Sequence, residues 1–239
     1  MNWKIIKLDT TDSTHEYIKH LDDSRVVVVA DYQHAGHGQG NNKWESERGK
    51  NLLFSVKTPV KDIPANRQFL LSMAGALAVK DVLGQYAEGF SLKWPNDIYW
   101  HDSKISGTII DTSISGKLIS QCIYGIGINV NQRKFISDAP NPVSLYNIIG
   151  KETDRDTILD NFLHYLDCRL NALADHLYDD ITAKYKSHLY RRSGLHDYED
   201  ANGRFSAVIK DILTNGHLLL CDSDGKERDY ELKEVKFII

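Results

Sequence analysis

The stretch Lys93-Trp94-Pro95-Asn96-Asp97-Ile98-Tyr99-Trp100-His101-Asp102-Ser103-Lys104-Ile105-Ser106-Gly107 restricts the folding of this chain more than any other. It sets a rigid Trp-Pro pair between two runs that read as strands, Phe90 to Trp94 before the proline and Lys104 to Asp111 after it. His101-Asp102-Ser103 has turn chemistry between the apolar runs. A hairpin over this stretch gathers Lys93, Asn96, Asp97 and Lys104. Charges on a surface hairpin are ordinarily just solvated, so this cluster gains weight only from the rest of the chain.

The chain has 239 residues, room for one large domain or for a medium and a small one. Its apolar and charged fractions, 41% and 26%, are those of an ordinary globular protein. A net charge of -4 without any block of basic residues argues against a dedicated nucleic-acid surface. Cys122, Cys168 and Cys221 are odd in number and far apart, outside any metal-ligand spacing. That pattern reads as reduced thiols in a cytoplasmic protein. Residues 1–9 carry Lys4 and Lys7 and do not form a signal peptide, and no run is long enough to span a bilayer. Neither DNA nor a membrane is an expected partner.

Taken in order, residues 2–8 read as a short strand. Ser13 and Glu16 fit a capping box opening a helix that runs to about Leu21. Hydroxyls of Ser13 and Thr14 beside first-turn amides suit a polar or anionic ligand, although a plain helix cap explains them too. Val26-Val27-Val28-Val29 marks a buried strand over Arg25 to Asp31. A polar loop follows, Tyr32-Gln33-His34-Ala35-Gly36-His37-Gly38-Gln39-Gly40-Asn41-Asn42-Lys43-Trp44. Its alternating glycines let amides approach a ligand closely. The loop matches neither the dinucleotide fingerprint nor a P-loop, and His34 and His37 lack the partners a zinc site needs. Asn51 to Lys57 reads as a strand, and Pro64 to Tyr86 as a helix with Leu70, Met73, Ala74 and Leu77 facing the core. Lys117 to Asn129 is a long strand whose Gly125 and Gly127 admit another backbone or a ligand. Two helices follow, Asp154 to Leu173 and His176 to Leu189. From Arg191 on, Asn202-Gly203, Asn215-Gly216 and Asp224-Gly225 are hairpin signals typical of a small barrel, with a domain boundary near Tyr190.

These pieces occur in one order in a known family. Gly36-His37-Gly38-Gln39 with Trp44, then Lys93-Trp94-Pro95-Asn96-Asp97, Lys104-Ile105-Ser106-Gly107 and Gly125-Ile126-Gly127-Ile128-Asn129 resemble a biotin–protein ligase, also called biotin–[acetyl-CoA-carboxylase] ligase. The resemblance covers nearly the whole chain, from Asp12-Ser13-Thr14 to the C-terminal unit. It implies an α/β fold: a mixed, largely antiparallel sheet backed by helices, like a class II synthetase, with a small C-terminal SH3-like β-barrel. The implied domains are a catalytic unit of residues 1–190 and a barrel of residues 191–239.

The resemblance implies a two-step reaction with ATP and Mg²⁺ as co-substrates, biotin as substrate and no permanently bound cofactor or protein metal site. Biotin is activated as biotinyl-5′-AMP, then transferred to a lysine of the biotin carboxyl carrier domain of a biotin-dependent carboxylase. Lys104 matches the family's essential lysine, reaching the biotin carboxylate and the α-phosphate, and Asp97 is placed to orient the incoming amine. Ser13, Thr14 and Gln33 match positions around the biotin ureido ring, and His15 is counted with the substrate-binding residues. Gly36, His37, Gly38 and Gln39 match the loop over the adenylate, with Trp44 ordering it. Asn96, Gly107 and Asn129 match positions near the ligand. Family members often dimerise, so a homodimer is compatible.

The chain departs from the family in its glycine loop. Where the family carries Gly-Arg-Gly-Arg-x-x-Arg, this sequence has His37, Gln39 and Asn42, and Lys43 is the only nearby cation. Lost guanidinium charges imply weaker retention of biotinyl-AMP. His15 stands where asparagine is common. Some members add an N-terminal helix-turn-helix and repress biotin genes. This chain begins almost at the first catalytic strand, so a ligase without repressor function is expected. Two other readings stay open: a lipoate–protein ligase or related acyltransferase, and a non-catalytic biotin sensor. The Lys-Trp-Pro-Asn-Asp element opposes the first, and a cation at position 104 opposes the second.

Overall fold

The computed structural model describes residues 3–38, 43–136 and 141–239. Gln39, Gly40, Asn41 and Asn42 of the glycine loop lie outside the described residues. Seven strands form the main sheet: β1 (Lys4–Thr11), β2 (Val26–Gln33), β3 (Leu52–Pro64), β4 (Phe90–Lys93), β5 (Asp97–Trp100), β6 (Ser103–Ser115) and β7 (Leu118–Ile128). Their order is β1-β2-β3-β7-β6-β5-β4. β1 and β2 pair in parallel and every other pairing is antiparallel. The sheet is therefore mixed and largely antiparallel, as the resemblance implied.

The helices are α1 (Thr14–Lys19), α2 (Phe69–Leu83), α3 (Leu145–Ile149), α4 (Arg155–Ala174) and α5 (Tyr178–Ser187). Strand alternation sends Val27, Val29, Leu52, Phe54, Val56, Tyr124, Ile126 and Ile128 to one face, which packs on α2, α4 and α5 in a single buried cluster. There Phe54 meets Phe162 of α4 edge-on with ring centroids 5.0 Å apart. Gly75 of α2 lies over Tyr124, where an added Cβ would stand 2.8 Å from the ring. The Tyr124 hydroxyl donates to Leu71 O at 3.1 Å, so that ring is fixed.

Some sequence expectations need correction. Pro64 ends β3 in extended geometry (ψ 141°), and a 3₁₀ turn, Ala65–Arg67, precedes α2. The first-turn preference of proline lost here to β pairing, since Pro64 stands opposite Leu118 of β7. The Trp-Pro stretch forms two hairpins, not one. Trp94-Pro95-Asn96 turns β4 into β5, and His101-Asp102 turns β5 into β6. Only half of the expected capping box forms: Ser13 accepts from Glu16 N, while the Glu16 carboxylate goes to Lys19.

Past Tyr190 the strands are β8 (His196–Asp200), β9 (Gly203–Ile212), β10 (Leu218–Asp222), β11 (Glu227–Tyr230) and β12 (Lys236–Phe237), an antiparallel sheet in the order β11-β10-β9-β8-β12. Each of the Asn-Gly and Asp-Gly turns joins consecutive strands of this sheet. The second sheet is tied to the first part of the chain by Trp94, whose Nε1 donates to Gly216 O at 2.8 Å. Gly216 has a φ of +94° and lies on the Phe69 ring, 2.6 Å from its added Cβ, so both backbone shape and space require glycine.

Candidate functional site

The other face of the main sheet has few large side chains at its centre. Gly125 and Gly127 of β7 point there, with Ser55 of β3 opposite Gly125 and Gly107 of β6 opposite Gly127. α1 crosses one end of this face, packing Ile18 on Val26, Val28 and Ile123.

Lys104 reaches this face through a β-bulge. Tyr99 pairs with Lys104 and Ile98 with Ser106, which leaves Ile105 without a partner in the ladder. One extra residue reverses the alternation of side chains. Ile105 turns into the helix-packed core and Lys104 lies beside Gly107, its Nζ 3.2 Å from that glycine's Cβ direction. Lys104 Nζ donates to Asp97 Oδ2 at 2.7 Å, both side chains being partly buried. Lys93 stands directly opposite Asp97 and lies over the rings of Tyr99 and Phe237. Burial pushes its ammonium pKa down, against the pull of Asp97. Asn96 is buried in the turn between these strands.

Two rings cover the glycines. Trp44 lies across Gly127 and Gly107, with Cε2 2.5 Å from the first Cβ position and Cζ3 3.2 Å from the second. Its ring centroid is 5.9 Å from Lys104 Nζ. His15 of α1 lies across Gly125, its Nδ1 2.6 Å from where a Cβ would be. Any side chain at Gly125 or Gly127 would displace a ring. Thr14 Oγ1 is 2.9 Å from Ser55 Oγ, and Thr14 N donates to Gln33 Oε1 at 2.7 Å. Gly36 packs on Gln33 and its carbonyl accepts from Trp44 N. His37 is exposed, and with Gly38, His15, Lys19 and Asp111 it borders an open cavity of about 260 Å³. A second cavity of about 280 Å³ lies between β3 and α4, around Arg25 and Asp167, and holds none of these residues.

The site face leaves buried polar atoms unsatisfied. Among the described residues, His15 Nδ1, Trp44 Nε1 and Asn129 Oδ1 find no hydrogen-bond partner, while Asn129 Nδ2 donates to Val143 O at 3.1 Å. Such atoms cost free energy unless a ligand meets them. The structure thus gathers Ser13, Thr14, His15, Gln33, Gly36, Trp44, Asp97, Lys104 and Gly107 on one face. Asn129 follows in line with Gly127, and Asn96 is at the hairpin turn. Gln39 is not described. Sequence reasoning missed Ser55 and Asp111. Each is fixed only by long-range pairing, Ser55 to Thr14 and Asp111 to His15, and neither stands in a motif.

Among the described residues, no three His, Cys, Asp or Glu side chains converge as a protein-held metal ion requires. His34 Nε2 is engaged with Thr10 Oγ1 at 2.7 Å. The arrangement sets a partly buried cation, Lys104, beside a glycine-paved face that the Trp44 and His15 rings themselves occupy, which suits the acidic end of a ligand at Lys104.

Comparison with known proteins agrees with this geometry. A family model described as "Biotin/lipoate A/B protein ligase family" matches residues 7–129. The chain is 28% identical over 229 residues to the bifunctional ligase/repressor BirA of Bacillus subtilis (strain 168), covering 92% of this chain and 69% of that protein. It is 29% identical over 149 residues to the biotin–[acetyl-CoA-carboxylase] ligase of Mycobacterium tuberculosis, covering 61% of this chain and 54% of that one. Among solved structures, the biotin protein ligase from Aquifex aeolicus in complex with biotin and ATP superposes with a TM-score of 0.80 at 26% identity, over 98% of this chain and 99% of that one.

Proposed function

The chain belongs to the biotin/lipoate A/B protein ligase family, and from that premise we propose that it is an ATP-dependent biotin–protein ligase. Biotin is activated as biotinyl-5′-AMP and passed to a lysine of a biotin carboxyl carrier domain. The observation that carries this reading is Lys104, turned by a bulge onto a glycine-paved face and partnered there by Asp97.

A carboxylate is already a nucleophile, so the first step needs no base. A biotin carboxylate oxygen attacks the α-phosphorus of ATP. The bond from that phosphorus to the bridging oxygen breaks, and pyrophosphate leaves with the electron pair. The obstacle is the approach of two anions, and a fixed cation where negative charge gathers lowers it. Lys104 supplies a compact charge. Asp97 holds its ammonium in place by accepting one N–H, which leaves two for substrate. Mg²⁺ enters on the nucleotide and supplies further charge neutralisation when bound. In the second step the carrier amine attacks the acyl carbon and AMP departs. Asp97 orients the amine and takes its proton. Ser13, Thr14 and Gln33 hold the ureido ring, and Trp44 with Gly36, His37 and Gly38 covers the adenylate.

The test is biotin-dependent exchange of pyrophosphate into ATP with Mg²⁺ present. Wild-type protein exchanges label with biotin and not with lipoate. Lys104→Ala lowers the rate by about 10²–10³-fold with an unchanged melting temperature. Exchange driven by lipoate alone, or a Lys104→Ala rate equal to wild type, overturns the proposal.

A further inference from the structure

Two buried carboxamides, Asn51 and Gln132, take no part in the chemistry above, yet they lie between the segments that carry Trp44 and Asn129. Asn51 Nδ2 donates to Gln132 Oε1 at 2.7 Å. Gln132 Oε1 also accepts from Glu47 N at 2.9 Å, and its Nε2 donates to Glu45 Oε1 at 3.1 Å and to Lys134 O at 2.9 Å. Two bonds accepted and two donated are the full complement of an amide. Glu45 Oε1 accepts from Ile136 N as well, at 2.9 Å. On the other side of the pair, Asn51 Oδ1 accepts from Val130 N at 3.0 Å and its Nδ2 reaches Ser46 Oγ at 3.3 Å.

These partners fall into two groups. Glu45, Ser46 and Glu47 directly follow Trp44 in the chain, while Val130, Lys134 and Ile136 follow Asn129. We propose that Gln132, seated on Asn51, is a positioning residue that fixes where the Trp44 indole and the Asn129 side chain stand in the site. The inference rests on the biotin-ligase reading and adds to it a residue that acts through the backbone of its neighbours.

The argument lies in how the two site residues are held. Trp44 Nε1 finds no hydrogen-bond partner among the described residues, so the ring has no polar anchor of its own. Its place follows from its backbone. Trp44 N donates to Gly36 O at 2.9 Å, and the residues just after it are held by Gln132. Asn129 is likewise fixed through its main chain: its N–H donates to Ile105 O, its carbonyl accepts from Leu145 N, and the next amide, Val130 N, is taken by Asn51. The bond between the two carboxamides joins the two supports. Apolar side chains there would pack residues 45–47 against residues 130–136 without direction. A satisfied amide network admits one register, because any slip leaves a buried donor or acceptor unpaired.

The experiment measures biotin KM and kcat in pyrophosphate exchange, with melting temperature alongside. Gln132→Glu keeps the shape and one accepting oxygen, but sets the other oxygen against Glu45 Oε1 and Lys134 O, where a donor stood. Residues 45–47 are pushed away, and KM for biotin rises about tenfold, the worth of one buried hydrogen bond. The kcat stays within about twofold, since contacts made equally in ground and transition states move KM alone. The double variant Gln132→Glu/Glu45→Gln again faces a donor with an acceptor. It returns KM to within about threefold of wild type, Lys134 O alone staying opposed. A purely structural role would lower the melting temperature and leave KM of the folded protein at its wild-type value. Where Gln132→Glu does not fold, Gln132→Met, uncharged and of similar length, carries the same KM comparison. A wild-type KM in the folded single variant, or a double variant no better than the single one, overturns the assignment and leaves the ligase reading in place. Wild-type protein without biotin-dependent exchange overturns the two together.

Discussion

On the helix-packed face of the main sheet the strands keep their large side chains and a helix makes room, Gly75 of α2 giving space to Tyr124. On the site face the strands make room, Gly125 for His15 and Gly127 with Gly107 for Trp44. The two arrangements differ in what holds the ring in place. Tyr124 is fully buried and tied to Leu71 O. Trp44 and His15 each keep a polar atom without a partner among the described residues. A ring whose every contact is satisfied contributes to stability. A ring that leaves a hydrogen-bonding atom idle contributes less, and is available to a ligand. The same sheet thus keeps stability on one side and recognition on the other.

The harshest way to break that division is Phe162→Ala. The ring is wholly buried against Phe54, and its loss costs about 3–5 kcal/mol of folding stability, read as a lowered urea midpoint. Lys104→Ala, on the other side of the sheet, leaves that midpoint unchanged while removing most exchange activity. Equal loss of stability in the two variants would show that the faces are one energetic unit. Next in size is Gly75→Ala. The added methyl meets the Tyr124 ring at 2.8 Å, and neither helix nor ring is free to move. The cost is about 1–3 kcal/mol, with the biotin Kd of the folded protein unchanged. A Gly75→Ala protein as stable as wild type would mean that Tyr124 is as loosely held as Trp44.

What was legible in the sequence follows the same division. Val26-Val27-Val28-Val29 could be read as a strand because burial on both faces leaves an unbroken apolar run. The C-terminal strands were legible from turns such as Asn202-Gly203. The family motifs pointed to Lys104, Asp97 and Trp44 before any geometry was available. The bulge at Ile105 was not legible, because simple alternation puts Lys104 on the core side and only pairing with β5 reverses it. The Asp111–His15 contact joins α1 to β6, and no local pattern records a contact between such distant segments. Pro64 looked like a helix start because the strand partner that holds it extended lies on β7. The dominant local signals were backbone and packing signals. The missed ones were pairings between segments, and those pairings shape the site face.

Gly127→Ala is the gentlest change and gives the sharpest contrast with Gly75→Ala. Both add one methyl under an aromatic ring, 2.5 Å from the Trp44 indole in the first case and 2.8 Å from Tyr124 in the second. The indole is held through its backbone, Trp44 N donating to Gly36 O at 2.9 Å, while its own Nε1 holds nothing. It can swing off the strip without breaking a side-chain hydrogen bond. Stability should therefore fall by less than about 0.5 kcal/mol, as for a change outside the packed core. Lys104 loses its aromatic cover and the strip loses its flat floor, so the biotin KM in pyrophosphate exchange rises several-fold with the urea midpoint held. A loss of stability matching Gly75→Ala would mean that Trp44 is a core residue and not a cover. An unchanged KM would mean that substrate does not lie on Gly127 at all, and glycine at that position would then serve only to seat the indole.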